Sequence, residues 1–261
     1  MDYPISVPNV NLLNCKFTDG NPSAGVPASL CPSEWANAVT DEILNVLAAA
    51  NIVPSEQQTD QLVAAVQVLG GVRNMASFNA STTFVVPTGC TRIKIRAWGA
   101  GGSGGGSSSI NYPGGGGGSG AYAEGVFPVT PGQSIPITIG ACVSRASGGA
   151  TIVGDFVTCN GGGSGGIGTA SGVGGGGAGG TTSSGSLSLW GNPGTAGTFF
   201  NNSDALNGGI GAPSFGGCSS YVYGSNAEIF NGSIGIFPGG GSSGCTGTPC
   251  PGAQGFVILE Y

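Results

Sequence analysis

The feature that most constrains this chain is a pair of glycine runs set directly between strand-like segments. The alternating stretch Thr91-Arg92-Ile93-Lys94-Ile95-Arg96-Ala97-Trp98 passes without a break into Gly99-Ala100-Gly101-Gly102-Ser103-Gly104-Gly105-Gly106. A short polar loop leads to a second run, Gly114 to Gly118, and then to Ser119-Gly120-Ala121-Tyr122-Ala123-Glu124-Gly125. Glycine has no side chain to bury and loses more backbone freedom on folding than any other residue. Such runs therefore fold only where backbone hydrogen bonds and close backbone approach replace side-chain packing. Polyproline-II strands laid side by side meet that condition, because only glycine lets their backbones touch.

Composition separates this solution from commoner ones. Glycine supplies 55 of 261 residues, yet charged residues are only 7% and hydrophobic ones 39%. Disorder usually combines low hydrophobicity with high net charge, a pattern absent here. Collagen requires glycine at every third position, and no such strict period runs through the chain. Alternating apolar pieces flank the glycine runs: Thr83 to Pro87, Val126 to Val129 and Ser134 to Gly140, with turns at Thr88-Gly89-Cys90 and Pro131-Gly132. Ala150 to Cys159 reads as a hairpin turning at Gly154-Asp155. Gly161 to Gly180 is the longest glycine-rich reach, and a last strand runs from Gly255 to Tyr261. The expected fold is mainly β: short N-terminal helices followed by a Gly-rich β-sandwich-like domain with polyproline-II-type glycine segments.

Three regions are expected. Residues 1–31 are irregular, broken by Pro4, Pro8, Pro22 and Pro27, with a turn over Phe17 to Pro22. Residues 32–77 carry two helices. The first starts after Pro32-Ser33, with Ser33 as its N-cap and Glu34 in its first turn, and ends at Asn51 to Pro54. Its apolar face is Trp35, Val39, Ile43, Val46, Leu47 and Ala50. Ser55 to Gln58 has the capping-box pattern for the second, whose face is Leu62, Ala65, Val66 and Leu69 and whose stop is Gly70-Gly71. A trimeric collar would bury both faces, and an intramolecular hairpin is the alternative. Residues 78–261 form the glycine-rich domain.

Charge and chemistry exclude several functions. The net charge is −6 with six basic residues, so phosphate-driven nucleic-acid binding is not expected. Arg92, Lys94 and Arg96 should share one strand face, opposite Ile93, Ile95 and Ala97, and be solvated or lie between subunits. No apolar run reaches the ~18 residues of a membrane span. Met1-Asp2-Tyr3-Pro4 lacks the features of a signal peptide, so synthesis in a cytoplasm is expected.

Histidine is absent, which excludes Ser-His-Asp and Cys-His mechanisms. It also leaves no pattern for a zinc site, and no metal or cofactor is expected. The recurring Gly-x-Gly-x-x-Gly strings lack the helix and acidic residue a nucleotide site needs. Glycan cleavage would need two carboxylates, and in the glycine-rich region Glu124, Asp155 and Glu260 have structural explanations, leaving Asp204 and Glu228. Eight cysteines at 15, 31, 90, 142, 159, 218, 245 and 250 fit either disulfides, with Cys245–Cys250 and Cys142–Cys159 as local pairs, or small buried thiols.

The ordered combination of Phe84-Val85-Val86-Pro87, Ile93-x-Ile95-x-Ala97-Trp98-Gly99-Ala100-Gly101-Gly102, Ser119 to Gly125, Pro131-Gly132 and the closing Gly255 to Tyr261 resembles the glycine-rich domain at the C-terminal end of many phage and prophage tail fibres. Lys16-Phe17-Thr18-Asp19-Gly20, followed by Glu34-Trp35-x-Asn37-Ala38-Val39, resembles the usual opening of such fibres. The likeness implies a non-enzymatic receptor-binding protein of the virion tail, made in the host cytoplasm and acting outside it, and a homotrimer. It implies attachment to a tail or baseplate protein through residues 1–31 and recognition of a bacterial surface receptor: lipopolysaccharide, another glycan or an outer-membrane protein. Loops joining packed strands would carry the recognition. Candidate side chains are Tyr112, Trp190, Phe199, Phe200, Asn201, Tyr221, Tyr223, Asn226 and Phe230, with Tyr112 and Trp190 expected to be exposed. A purely structural tail component, or a glycan depolymerase, is the alternative.

Overall fold

The computed structural model describes residues 4–70, 74–107, 111–199, 205–225 and 229–261. The chain divides into two compact units, Met1–Val72 and Arg73–Tyr261.

In the first unit the expected turn is tight. Asn21 caps a single 3-10 turn, Pro22–Ala24, its side chain accepting from the Ala24 N–H, and Gly25 closes it at φ 67°. Phe17 packs edge-on against Trp35 with ring centroids 4.9 Å apart. Helix α1 spans Ser33–Ala49 and α2 spans Gln61–Gly70. Two details of the helix starts differ from expectation. Pro32, not Ser33, holds the N-cap of α1, and no side chain caps it. The second helix begins three residues past the Ser55–Gln58 box. There Gln61 bonds the loop instead, its Oε1 accepting from Ser55 N and its Nε2 donating to Val53 O.

The helices pack on one another through Leu47, Ala50 and Ala65, with Val46 and Ile52 beside them. That core is small. Leu62, Val63, Val66, Val68 and Leu69 of α2 remain exposed, so of the expected face only Ala65 is covered within the unit.

The second unit holds β1 (Met75–Phe78), β2 (Thr82–Val85), β3 (Arg92–Trp98), β4 (Tyr122–Pro128), β5 (Ser134–Thr138), β6 (Thr151–Val153), β7 (Val157–Cys159), β8 (Leu187–Leu189), β9 (Thr198–Phe199), β10 (Ala205–Asn207), β11 (Tyr223–Ser225) and β12 (Phe256–Glu260). A five-stranded antiparallel sheet in the order β1-β12-β3-β4-β8 faces a four-stranded one in the order β2-β5-β6-β7. Alternation puts Ile93, Ile95, Ala97, Val257 and Leu259 of the first against Phe84, Ile135, Ile137, Val153 and Val157 of the second, in one buried cluster.

The opposite face of β3 carries its charges, as the pattern requires. They are tied across the sheet: Lys94 Nζ lies 2.7 Å from Glu124, and Arg96 pairs with Glu260. The Tyr122 hydroxyl also donates to Glu124. These two donors hold the Glu124 carboxyl below the usual range, the Lys94 bond being the larger cause. Burial, with that same bond, raises the Tyr122 hydroxyl well above its ordinary value.

Beyond β3 and before β4 the chain leaves the sheets and forms a bundle of glycine strands. Its axis is residues 113–121. Going along it, the N–H groups of Gly114, Gly117 and Gly120 donate to Cys245, Ser242 and Gly239. Those of Gly115, Gly118 and Ala121 donate to Gly166, Gly163 and Asn160, and those of Gly116 and Ser119 to Thr195 and Asn192. Its carbonyls accept in the same rhythm from residues 99–105, 174–180 and 209–212.

Each neighbour is thus addressed once every three residues, which is the three-fold turn of polyproline II. Six runs surround the axis, and they also bond to one another, for example Gly165 N to Ser103 O and Gly244 N to Gly209 O. The packing leaves no room for a side chain. A Cβ at Gly116 or Gly117 would lie well under 3.0 Å from the carbonyl oxygen of Ile210 or Gly102.

Candidate functional site

The bundle has two ends. At one, residues 99, 121, 160 and 191 adjoin the sheets. At the other, the runs turn back through loops that lie together. The Ser107 hydroxyl donates to Tyr112 O and Gly168 O, and Gly168 N donates to Gly106 O. The loop at 246–249 joins them, with Thr248 N bonding Asn231 Oδ1 and Phe230 N bonding Thr246 Oγ1. The small sheet β11-β10-β9 continues the 190s and 200s runs to the same end.

The bundle interior is backbone and small side chains, so recognition chemistry can reside only at its ends and flanks. Among the expected residues, Tyr112 and Phe230 lie in the tip loops, both half-buried, and β9 and β11 bring the Phe199 and Tyr223 backbones there. Tyr112 is therefore less open than its polar surroundings suggested. Tyr221 is 65% exposed on the bundle flank and lines a groove with Thr195, Thr198, Asn207 and Val222. Trp190 is 72% exposed, as expected, but it stands at the opposite end. It follows Leu189, which pairs with Tyr122 at the start of β4, and its indole N–H donates to Thr182 O. Phe200, Asn201 and Asn226 lie outside the described residues, as do Asp204 and Glu228.

Side-chain clusters elsewhere are accounted for structurally. A ladder of rings, Phe215–Tyr122–Trp98–Phe256–Phe237, seals the junction of sheet and bundle, with successive centroids 4.4, 4.8, 5.9 and 4.9 Å apart. All eight cysteines are unbonded thiols, so neither local pair forms a disulfide. Cys159 is buried in the sandwich, where burial pushes its thiol up to about 12. Among the described residues no group of His, Cys, Asp and Glu could hold a metal, and no helix is long and apolar enough to cross a membrane.

One cleft near the tip was not foreseen. About 290 Å³ in volume, it is floored by Gly104, Gly105 and Gly106 and walled by Arg145, Ser164, Ile167 and Pro249. Its sequence signal is a lone arginine in the loop Ala141 to Gly148, one of six basic residues in the chain.

No match to this chain is found among curated proteins. The family model of the glycine-rich domain matches residues 77–261, from the strand that opens the second unit to the last residue. With that span covering most of the chain and the whole bundle, the protein belongs to the glycine-rich domain family.

Proposed function

We propose that this protein is a phage or prophage tail-fibre adhesin that binds a bacterial surface structure through the loops and flanks of its glycine bundle. The observation that carries the reading is the division of labour within the second unit. The bundle interior holds almost nothing but backbone, while Tyr112, Phe230, Asn231 and Thr248 lie in loops at its tip and Tyr221 on its flank. A scaffold of that kind has no catalytic interior, and it presents its recognition groups outward. The likeness of the glycine-rich passages and of the Lys16 to Val39 segment to tail fibres supports the same assignment.

Two further parts belong to this proposal. Residues 1–31 attach the chain to a tail or baseplate protein. The exposed apolar face of α2, which its own unit leaves uncovered, is buried in a trimeric collar, giving several tips per fibre and avidity from weak single contacts. The role is binding, without an enzymatic step, cofactor or nucleic acid.

Staining a panel of bacterial cells with the labelled full-length protein tests the central statement. Selective staining of a few strains is expected, and loss on lipopolysaccharide-truncated mutants would mark a glycan receptor. A well-folded protein that stains no strain would overturn the adhesin reading and leave a structural tail component. Light scattering tests the collar: a mass three times that of the chain is expected, and a stable monomer would remove it.

A further inference from the structure

The cleft beside Arg145 combines features that the scaffold alone does not explain. Arg145 sits at φ 64°, in the left-handed region that glycine enters without cost and arginine does not. In a chain with 55 glycines, this position nevertheless carries a long cation. The loop is firmly seated: the buried hydroxyl of Ser103 accepts from Arg145 N at 2.8 Å, and Ser103 N donates to Ala146 O at 3.0 Å. The strained backbone is thus held by the bundle itself, and it keeps Arg145 on the cleft wall.

The surroundings define what fits there. None of the lining residues is acidic, and the ion pairs Lys94–Glu124 and Arg96–Glu260 lie on the sheet. Among the described residues Arg145 has no carboxylate partner. The backbone N–H of Ser164 donates to Ser147 Oγ, and its own hydroxyl has no partner among the described residues. The lining also includes Pro249 and the exposed Ile167. A guanidinium, a free hydroxyl and two apolar surfaces around about 290 Å³ suit one ring-sized polar ligand bearing a carboxylate.

We propose that this cleft binds a carboxylate-bearing sugar. Arg145 takes the carboxylate through paired N–H donors, Ser164 bonds a ring hydroxyl, and Ile167 with Pro249 covers the less polar ring face. The site gives an acidic protein local affinity for an acidic glycan. It rests on the reading of the domain as a surface binder and names the class of receptor unit.

Titration of the full-length protein with D-glucuronate, D-galacturonate and neutral D-glucose, followed by NMR chemical shifts, tests this directly. Saturable shifts are expected for at least one uronate and none for glucose. Arg145→Gly suits the left-handed backbone, so its melting temperature should equal or exceed that of the parent, while uronate affinity should fall by about tenfold or more. Ile167→Asp, at an exposed position, should do the same by repulsion. Uronates that bind no better than glucose, or equally well to Arg145→Gly, would overturn the proposal. If cells are stained equally by parent and Arg145→Gly and no uronate binds, the cleft assignment fails while the adhesin reading stands. If uronates bind and no cell is stained, the cleft assignment stands and the adhesin reading fails.

Discussion

The sandwich and the bundle of the second unit are built from one continuous chain, yet they are held together by opposite means. In the sandwich, Ile93, Ile95, Ile135, Ile137, Val153 and Leu259 fill the space between two sheets, each contributing about 1.5–3 kcal/mol by leaving water. In the bundle, residues 113–121 contribute almost no side-chain surface and are fixed by backbone hydrogen bonds to six neighbours. One half is sensitive to removing atoms. The other is sensitive to adding them. The comparison teaches that low side-chain content is not low specification: at Gly117 the absence of a methyl group is as strictly required as the presence of a side chain at Ile95.

The strongest test of this contrast is Gly117→Ala. Its Cβ would meet the Gly102 carbonyl from the centre of the bundle, where no flexible side chain can yield. A loss of more than about 4 kcal/mol, or failure to fold, is expected in denaturant titrations. Gly132→Ala, a turn glycine at φ 81° with open space around it, serves as a control and should cost far less. Next comes Ile95→Ala in the sandwich core, expected to cost about 2–5 kcal/mol by cavity formation. A Gly117→Ala variant milder than Ile95→Ala would break the comparison.

Ser242→Ala probes the few polar side chains the bundle does bury. The Ser242 hydroxyl accepts from Gly104 N and donates to Cys250 O. Its loss strands the Gly104 N–H and leaves Cys250 O only the Ser103 hydroxyl, and about 1–3 kcal/mol of destabilisation is expected. Pulse alkylation sharpens the contrast without altering the scaffold. Cys159 in the sandwich and Cys245 in the bundle are both buried and raised by burial, whereas Cys15, Cys31 and Cys218 are exposed. The exposed thiols should label at once at pH 8. Cys159 and Cys245 should label together as denaturant rises, because the bundle runs continue directly into β3, β4, β7 and β12. Earlier labelling of Cys245 would show that the two halves open separately.

The smallest effect is electrostatic. Glu124 is held below its usual value by Lys94 and then Tyr122, so it contributes stability above the unfolded value of about 4.3. That contribution fades as pH falls through the lower folded value. Thermal melts should show a Glu124→Gln difference of less than about 1 kcal/mol near neutrality that shrinks toward acid pH. A difference independent of pH would mean that the hydrogen bonds, not the charge, matter there.

Much of the sandwich was legible from sequence because it obeys side-chain periodicity. The Ile93-x-Ile95-x-Ala97 pattern and the positive-φ turns at Gly89 and Gly132 fall where the residues indicated. Strand β1 was not, because Met75-Ala-Ser-Phe78 is short and carries little alternation; it exists through its pairing with β12. The Ser183 to Phe237 reach holds none of the motifs that carry the resemblance, yet it supplies two of the six runs around the axis, at 192–195 and 209–212. Glycines are identical as letters, so nothing in a run says which neighbour each amide addresses. The Arg145 cleft escaped for a related reason: its lining comes from distant parts of the chain, and only folding brings Gly105, Ser164 and Pro249 to one arginine.

The three-residue rhythm of the axis also sets a rule for how such a molecule can change through evolution. Inserting or deleting one residue within a run turns every later amide by about a third of a revolution and hands its bond to the wrong neighbour. A change of three residues instead restores each partner one layer along. Loops between runs obey no such counting. Length variation in natural or engineered descendants should therefore come in steps of three inside the bundle and in any number at its tip, so that the loops vary while the lattice of amides stays in phase.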